Sequence, residues 1–367
     1  IVGGVAGGAT AAARLRRLDE TAEIVVFERS GFISYANCGL PYYIGGVIED
    51  EADLTLQTPE SFYERFRVQM KVHHEVTAID RAAKTVTVRN LETGEVFAEA
   101  YDKLLLSPGA KPTQPALPGV GLDRLFTLRT VEDTLRIHRF VAEQHPRSVV
   151  LAGGGFIGLE LAENLREKGL DVTIVQRPTQ LMNPFDADMA ALIHREVRAH
   201  GVRLALGHTV EGFAEANGGV QVLLKDEAPL QADMVILAIG VTPDSRLAAD
   251  AGLELGLKGS IVVNDRMQTS DPDIYAVGDA VQVTHFVSGQ PALIAPAGPA
   301  NKQGRQPVQG VAGQLGAEDF QPDRRRHRPE RNRCPPGRTG RRRGGALPHE
   351  PRRVLSGRSG HDHEGGL

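Results

Sequence analysis

Val149-Val150-Leu151-Ala152-Gly153-Gly154-Gly155-Phe156-Ile157-Gly158 joins a short apolar run to a turn that satisfies GxGxxG, and Ala162 follows on the predicted helix. The order strand, glycine turn, helix has a physical logic. Its glycines permit the tight turn, let the backbone approach a pyrophosphate at the helix N-terminus, and pack helix closely on strand. Gly153, Gly155 and Gly158 are therefore candidate dinucleotide ligands. Leu170 to Val175 reads as the next strand, and Gln176 stands at its end, where a glutamate would grip the ribose of NADH. Arg177 follows. An amide plus an arginine removes a charge that would repel a 2′-phosphate and adds one that binds it, so the unit predicts a nicotinamide site for NADPH or NADH.

The same plan occurs at the start of the chain. Gly3-Gly4-Val5-Ala6-Gly7-Gly8 precedes an alanine-rich helix through Arg17, and the strand Ile24 to Phe27 ends in Glu28, the expected ribose ligand. Gly3 and Gly8 take the outer glycine positions, while Val5 stands where the middle glycine is expected. Two dinucleotide units in one chain are the signature of a flavin fed by a nicotinamide, which predicts FAD as the first cofactor. Leu104-Leu105-Leu106 is a buried strand that turns at Ser107-Pro108-Gly109-Ala110, and Met234 to Gly240 repeats that plan. The predicted fold is α/β with two Rossmann-like dinucleotide-binding domains. A split FAD-binding domain, 1–115 and 241–305, encloses an NAD(P)-binding domain, 116–240.

Just after the first strand–helix–strand unit lies Ser34-Tyr35-Ala36-Asn37-Cys38-Gly39-Leu40-Pro41-Tyr42-Tyr43. Pro41 suits a first helical turn, which puts Cys38 at or just before a helix N-terminus, where unpaired N–H groups favour a thiolate. Cys38 is the candidate redox nucleophile, facing the flavin.

The 367 residues, 41% of them hydrophobic, are enough for two or three domains. Two cysteines give no disulfide framework, no stretch is apolar for long enough to span a bilayer, and no charged-then-apolar leader precedes the fold. These features predict a cytoplasmic protein without a membrane anchor. The chain opens at Ile1 without a methionine, so some N-terminal residues are expected to be missing. His73-His74 has no further ligand at metal spacing and reads as surface or loop histidines; no metal is expected.

From Ile1 to about Arg305 the chain resembles the two-dinucleotide flavoprotein disulfide reductases. Within them it is similar to the single-cysteine branch of coenzyme A disulfide reductase, water-forming NADH oxidases and NAD(P)H persulfide reductases. Ser34 to Cys38 matches the family's spacing from serine to redox cysteine, and the CxxxxC pair of glutathione-type reductases is lacking. By this resemblance Asp279 holds the flavin ribityl chain, Ala297 to Arg305 is the helix start beside the isoalloxazine, and Glu160 lies near nicotinamide and flavin. Ala110 and Gly240 fall among the cofactor-binding positions. Thr10, Arg14, Arg17, Ser34 and Asn37 fall where relatives contact coenzyme A, although Phe66 stands where some have a lysine. The implied activity is NAD(P)H-dependent reduction of coenzyme A disulfide, or of a related low-molecular-weight disulfide or persulfide, through Cys38. The nearest enzymatic alternative is an oxygen-reducing NADH oxidase. An alternative of another class is a flavin-bound sensor with a nucleic-acid-binding tail.

After Arg305 the composition changes, as in Asp323-Arg324-Arg325-Arg326-His327-Arg328. This vocabulary predicts a disordered basic tail over 306–367, in place of the dimerisation domain that the homodimeric relatives carry. A frame slip in a GC-rich gene also produces it. Back-translated and read one nucleotide later, Phe320 to Arg331 permits Phe-Asn-Leu-Thr-Val-Ala-Val-Thr-Gly-Leu-Asn-Glu, and Glu350 to Gly357 permits Asn-His-Ala-Gly-Tyr-Tyr-Pro-Gly. Both are close to family sequence in the right order, so 306–367 is expected to be frame-shifted. Cys334 would then be incidental.

Overall fold

Unbroken apolar runs such as Leu104–Leu106 suit strands covered on both faces, and two parallel sheets are built from them. The computed structural model describes residues 1–295 and 297–305. In the first sheet Val2 bridges in parallel to both Phe27 and Leu106. The order is Gln69–Lys71, Val25–Phe27, Val2, Leu104–Leu106, Ile274–Ala276, all parallel. In the second sheet the order is Arg203–Leu206, Asp171–Gln176, Ser148–Ala152, Met234–Leu237, Leu125–Thr127, again all parallel. Each carries an antiparallel three-stranded companion in sequence, His74–Asp80 to Val96–Ala100 for the first and Val210–Ala216 to Leu230–Ala232 for the second. The passages between the sheets pair with each other: Ala110–Pro112 runs antiparallel to Val241–Pro243, with Ala110 opposite Pro243.

The helices are α1 (Ala6–Leu18), α2 (Leu40–Gly45), α3 (Pro59–Phe66), α4 (Val131–Gln144), α5 (Phe156–Glu167), α6 (Ala187–Ala199), α7 (Arg246–Asp250) and α8 (Ala297–Gln303). Helices α3 and α4 begin with capping boxes, Thr58 with Ser61 and Thr130 with Asp133, which satisfy N–H groups that a helix start leaves unpaired. Helices α1 and α5 have no side-chain cap and no acidic residue in the first turn. These are the two helices that follow the glycine turns.

Helix α2 is contributed by the chain around the first sheet, yet Leu40, Tyr43 and Ile44 are buried in one core with Ile137 of α4, Leu161 and Leu165 of α5, and Leu151 of the second sheet. Hydrophobic burial thus holds the Cys38 helix to the second sheet's layer. The strand expected over Leu170 to Val175 is Asp171–Gln176, and α1 runs one residue past Arg17. His74 is not on a loop: it opens a strand and packs edge-on against Phe97, with ring centroids 6.1 Å apart. Among the described residues, no helix is long and apolar enough to cross a membrane, and no group of three or more His, Cys, Asp or Glu could hold a metal ion. The expectations for 306–367 lie outside the described residues.

Candidate active site

The two glycine turns have matching geometry. Gly3 has φ +95° and Gly153 φ +118°, and a Cβ on either would overlap a backbone carbonyl, of Ser107 and Ala238 respectively. A Cβ on Gly8 would overlap the Gly3 carbonyl, and one on Gly158 the Gly153 carbonyl, so these glycines set the close helix-to-turn approach. The middle position is different. Val5 and Gly155 both have negative φ, −99° and −87°, and a Cβ at Gly155 would meet nothing within 4 Å. Valine is therefore tolerated in the first turn, because the protein itself makes no demand for glycine there.

The acceptors at the second strand of each unit also correspond. Glu28 is buried; its carboxylate accepts the Gly4 N–H at 2.7 Å and the Ser30 N–H at 2.9 Å. Gln176 is buried too, with its Oε1 accepting the Gly154 N–H and its Nε2 donating to the Gln180 carbonyl at 2.7 Å. The Gln176 amide is thus engaged by its own turn and loop, a use that its place at the end of a strand does not reveal. Arg177 is exposed and makes no ion pair among the described residues. Gly240 (φ +106°) leaves open space beside this turn.

Cys38 is exposed and lies in a 3-10 turn, Asn37–Gly39, that runs into α2 with Pro41 in its first turn. The segment starts at Ser34, whose backbone is left-handed (φ 46°), a conformation that costs energy for a residue with a Cβ. Its N–H donates to the Gly4 carbonyl at 3.0 Å and its own carbonyl accepts from Leu56 at 3.1 Å. The first of these bonds ties the cysteine segment to the first glycine turn. Asn37 Oδ1 is buried without a partner among the described residues.

Helix α5 lies against α2. Glu160, half-buried on α5, has its carboxyl pushed up by burial and then by Glu163, so it holds a proton more readily than a surface glutamate. The Tyr42 hydroxyl is likewise pushed up, first by burial, then by Glu160, Glu163 and Cys38. Three residues past its strand, Asp279 accepts from Arg129 Nη2 at 2.5 Å, and Arg129 Nε donates to the Ala110 carbonyl at 3.1 Å. Arg129 links the passage between the sheets to the end of the first sheet. Sequence reasoning misses it, since one arginine before a capping threonine forms no recognisable pattern. Helix α8 packs against α1, with Gln303 Oε1 accepting the Gly278 N–H at 2.8 Å.

Two uncapped helix starts, each behind a glycine turn and beside a buried acceptor, with open space at Gly155, fit the diphosphates of two dinucleotides. A family model described as "Pyridine nucleotide-disulphide oxidoreductase" matches residues 1–303. The chain belongs to this family. Coenzyme A disulfide reductase of Staphylococcus aureus is 40% identical over 286 residues, which are 78% of this chain and 64% of that relative. The crystal structure of reduced CoADR-RHD from Bacillus anthracis is 50% identical with a TM-score of 0.83, covering 86% of this chain and 57% of that one. Water-forming NADH oxidase from Lactobacillus brevis, bound to NADH, is 33% identical with a TM-score of 0.79, covering 84% and 68%. The chain thus spans less than two thirds of the length of the curated relative.

In this pyridine nucleotide-disulphide oxidoreductase the residues expected at a substrate lie on α1 and beside it. Thr10 Oγ1 donates to Asn301 Oδ1 of α8 at 2.8 Å. Arg14 follows it by one helical turn, and Arg17 carries its guanidinium 5.9 Å from the Phe66 ring centroid. Arg65 flanks the same ring at 5.1 Å. The Phe66 ring thus has two guanidinium groups beside it.

Proposed function

We propose that the protein is an FAD-dependent NAD(P)H oxidoreductase that reduces coenzyme A disulfide, or a related low-molecular-weight disulfide or persulfide, through Cys38. The observation that carries this reading is the exposed Cys38, tied through Ser34 to the first glycine turn and carried on a helix packed against the second unit's α5. Likeness to coenzyme A disulfide reductase supports the choice of substrate. The chain passing between the sheets at Ala110–Pro112 and Val241–Pro243 supports a flavin domain of 1–115 and 241–305 around a nicotinamide domain of 116–240. When bound, FAD supplies the relay of two electrons from NAD(P)H to the sulfur centre.

The chain's own residues divide the work. Gly3, Gly8 and Glu28 hold one dinucleotide with Ala110 and Asp279; Gly153, Gly155, Gly158, Gln176, Arg177 and Gly240 hold the other, with Glu160 beside the nicotinamide. The Cys38 thiolate attacks one sulfur of the substrate disulfide, the S–S bond breaks, and the first thiol leaves with a proton. Two electrons then cleave the mixed disulfide, freeing the second thiol and restoring the Cys38 thiolate. The balance is RSSR + NAD(P)H + H⁺ → 2 RSH + NAD(P)⁺. Ser34 and Asn37 line the approach to Cys38, while Thr10, Arg14 and Arg17 receive the anionic end of coenzyme A. Cys38→Ser is expected to keep FAD and lose NAD(P)H-dependent thiol release; unchanged thiol release in that variant defeats the proposal.

Likeness to the Lactobacillus brevis oxidase supports a second reading, oxygen reduction through the same cysteine. NAD(P)H consumption without disulfide, in air but not anaerobically, would favour it.

A further inference from the structure

Asn164 breaks a packing rule at the contact between α2 and α5. It is 1% exposed, and its Oδ1 is buried with no hydrogen-bond partner among the described residues. Its Nδ2 donates to the Glu160 carbonyl, one turn back on α5, at 2.7 Å. That bond fixes the orientation of the amide, because a flipped Asn164 would set two oxygens against each other. The orphan Oδ1 is thereby directed at α2. There it meets Gly45, so closely that a Cβ on Gly45 would overlap Asn164 Oδ1, Cβ and Cγ alike.

The rest of the contact has the same register. Cys38, Tyr42 and Gly45 follow one another along the chain at helical spacing, as do Glu160 and Asn164 on α5 and Lys168 at its C-cap. The Tyr42 hydroxyl is within electrostatic reach of Glu160, and a Cβ on Gly46 would lie 3.3 Å from Lys168 Nζ. The carbonyl is deprived of water with no donor in return, so stability by itself does not account for an asparagine here. What the asparagine adds is a planar side chain locked to the backbone of the turn that carries Glu160.

We infer that Asn164 is a positioning residue for Cys38: anchored on the Glu160 carbonyl, its amide seats Gly45 and so sets where α2 carries the thiol relative to the nicotinamide-side helix. The inference rests on the reading of Cys38 as the redox group. It assigns to the second unit control over a cysteine that belongs to the first in sequence. A displaced α2 alters the stacking of the thiolate on the flavin and the approach of the disulfide, which are steep functions of distance.

The test uses FAD-loaded full-length protein in five forms: wild type, Asn164→Leu, Gly45→Ala, Gly45→Ala with Asn164→Ala, and Cys38→Ser. Four readouts are followed, namely the thermal midpoint, the long-wavelength thiolate-to-flavin charge-transfer absorbance after NAD(P)H addition, the pH profile of Cys38 alkylation by iodoacetamide, and the steady-state kinetics of disulfide reduction. Asn164→Leu is expected to weaken the charge-transfer band and displace the alkylation profile in protein that stays folded at the assay temperature. Its kcat for disulfide reduction falls about tenfold at an unchanged nicotinamide KM. Gly45→Ala loses the band, and adding Asn164→Ala restores part of it, since the overlap is removed while the amide seat is not regained. The inference is overturned if Asn164→Leu retains both band and profile, or if the Gly45→Ala loss is undiminished in the double variant. Should Asn164→Leu fail to fold, the Gly45 pair decides. A band that persists in Cys38→Ser overturns the reading of Cys38 itself; a band that needs Cys38 but ignores Asn164 overturns this inference alone.

Discussion

Arg129→Met removes the guanidinium from Asp279 while keeping most of the apolar stem. The two side chains are 22% and 11% exposed, so the pair is largely desolvated, and the aspartate is the more enclosed partner. Removing one partner of a fully buried pair costs about 3 to 5 kcal/mol, because the charge left behind has neither water nor a counter-ion. The residual exposure of Arg129 argues for the lower end, about 3 kcal/mol. For a fold of this size, at about 2 °C per kcal/mol, the thermal midpoint should fall by about 6 °C. The Ala110 carbonyl also loses its donor, which works in the same direction. Adding Asp279→Asn to Arg129→Met removes the unpaired charge and should recover part of the loss, giving a non-additive cycle. Chemical unfolding of the four proteins at saturating FAD measures it. An Arg129→Met variant within about 1 kcal/mol of wild type, or a double variant less stable than Arg129→Met alone, refutes the argument that a desolvated pair joins the sheets here.

Hydrogen bonds from Lys103 and then Lys84 hold the Asp273 carboxyl at about 2, against an ordinary 3.8. A depressed value means stability that is present above the ordinary value and lost as pH falls toward the lowered one. Asp273→Asn should therefore be less stable than wild type at neutral pH, with the difference shrinking below pH 3.8 and mostly lost by about pH 2; a constant difference in pH-dependent unfolding contradicts this. Arg177→Ala should lower the ratio of NADPH to NADH kcat/KM about tenfold, the loss of one charge-assisted contact to a 2′-phosphate. An unchanged ratio means that Arg177 does not meet the phosphate. Nucleotide sequencing across codons 300 to 367 should find the frame one nucleotide on open and carrying the paired tyrosines, and a closed shifted frame makes the basic tail genuine.

Both glycine turns are legible in the sequence because their demands are local. A positive φ at Gly3 and Gly153, a close helix approach at Gly8 and Gly158, and an acceptor at the next strand's end all fall within one strand–helix–strand unit. Apolar runs reveal buried strands for the same reason. Legibility stops short even inside these units. The Gln176 amide also satisfies the Gly154 N–H and the Gln180 carbonyl, contacts set by the loop that folds back over the turn and not read from the end of the strand.

By itself, then, the sequence determined the two α/β units, their glycine geometry and the cysteine ahead of a short helix. Tertiary structure alone decided what that helix rests on. Arg129 and Asp279 meet across 150 residues of chain, and Thr10 and Asn301 across 291. Gly45 and Asn164 likewise come from different units. No periodicity records such pairs, because each residue is ordinary in its own helix or loop. Their roles exist only once hydrophobic burial has packed α2 on the second sheet's layer and the returning chain has brought Asp279 to Arg129.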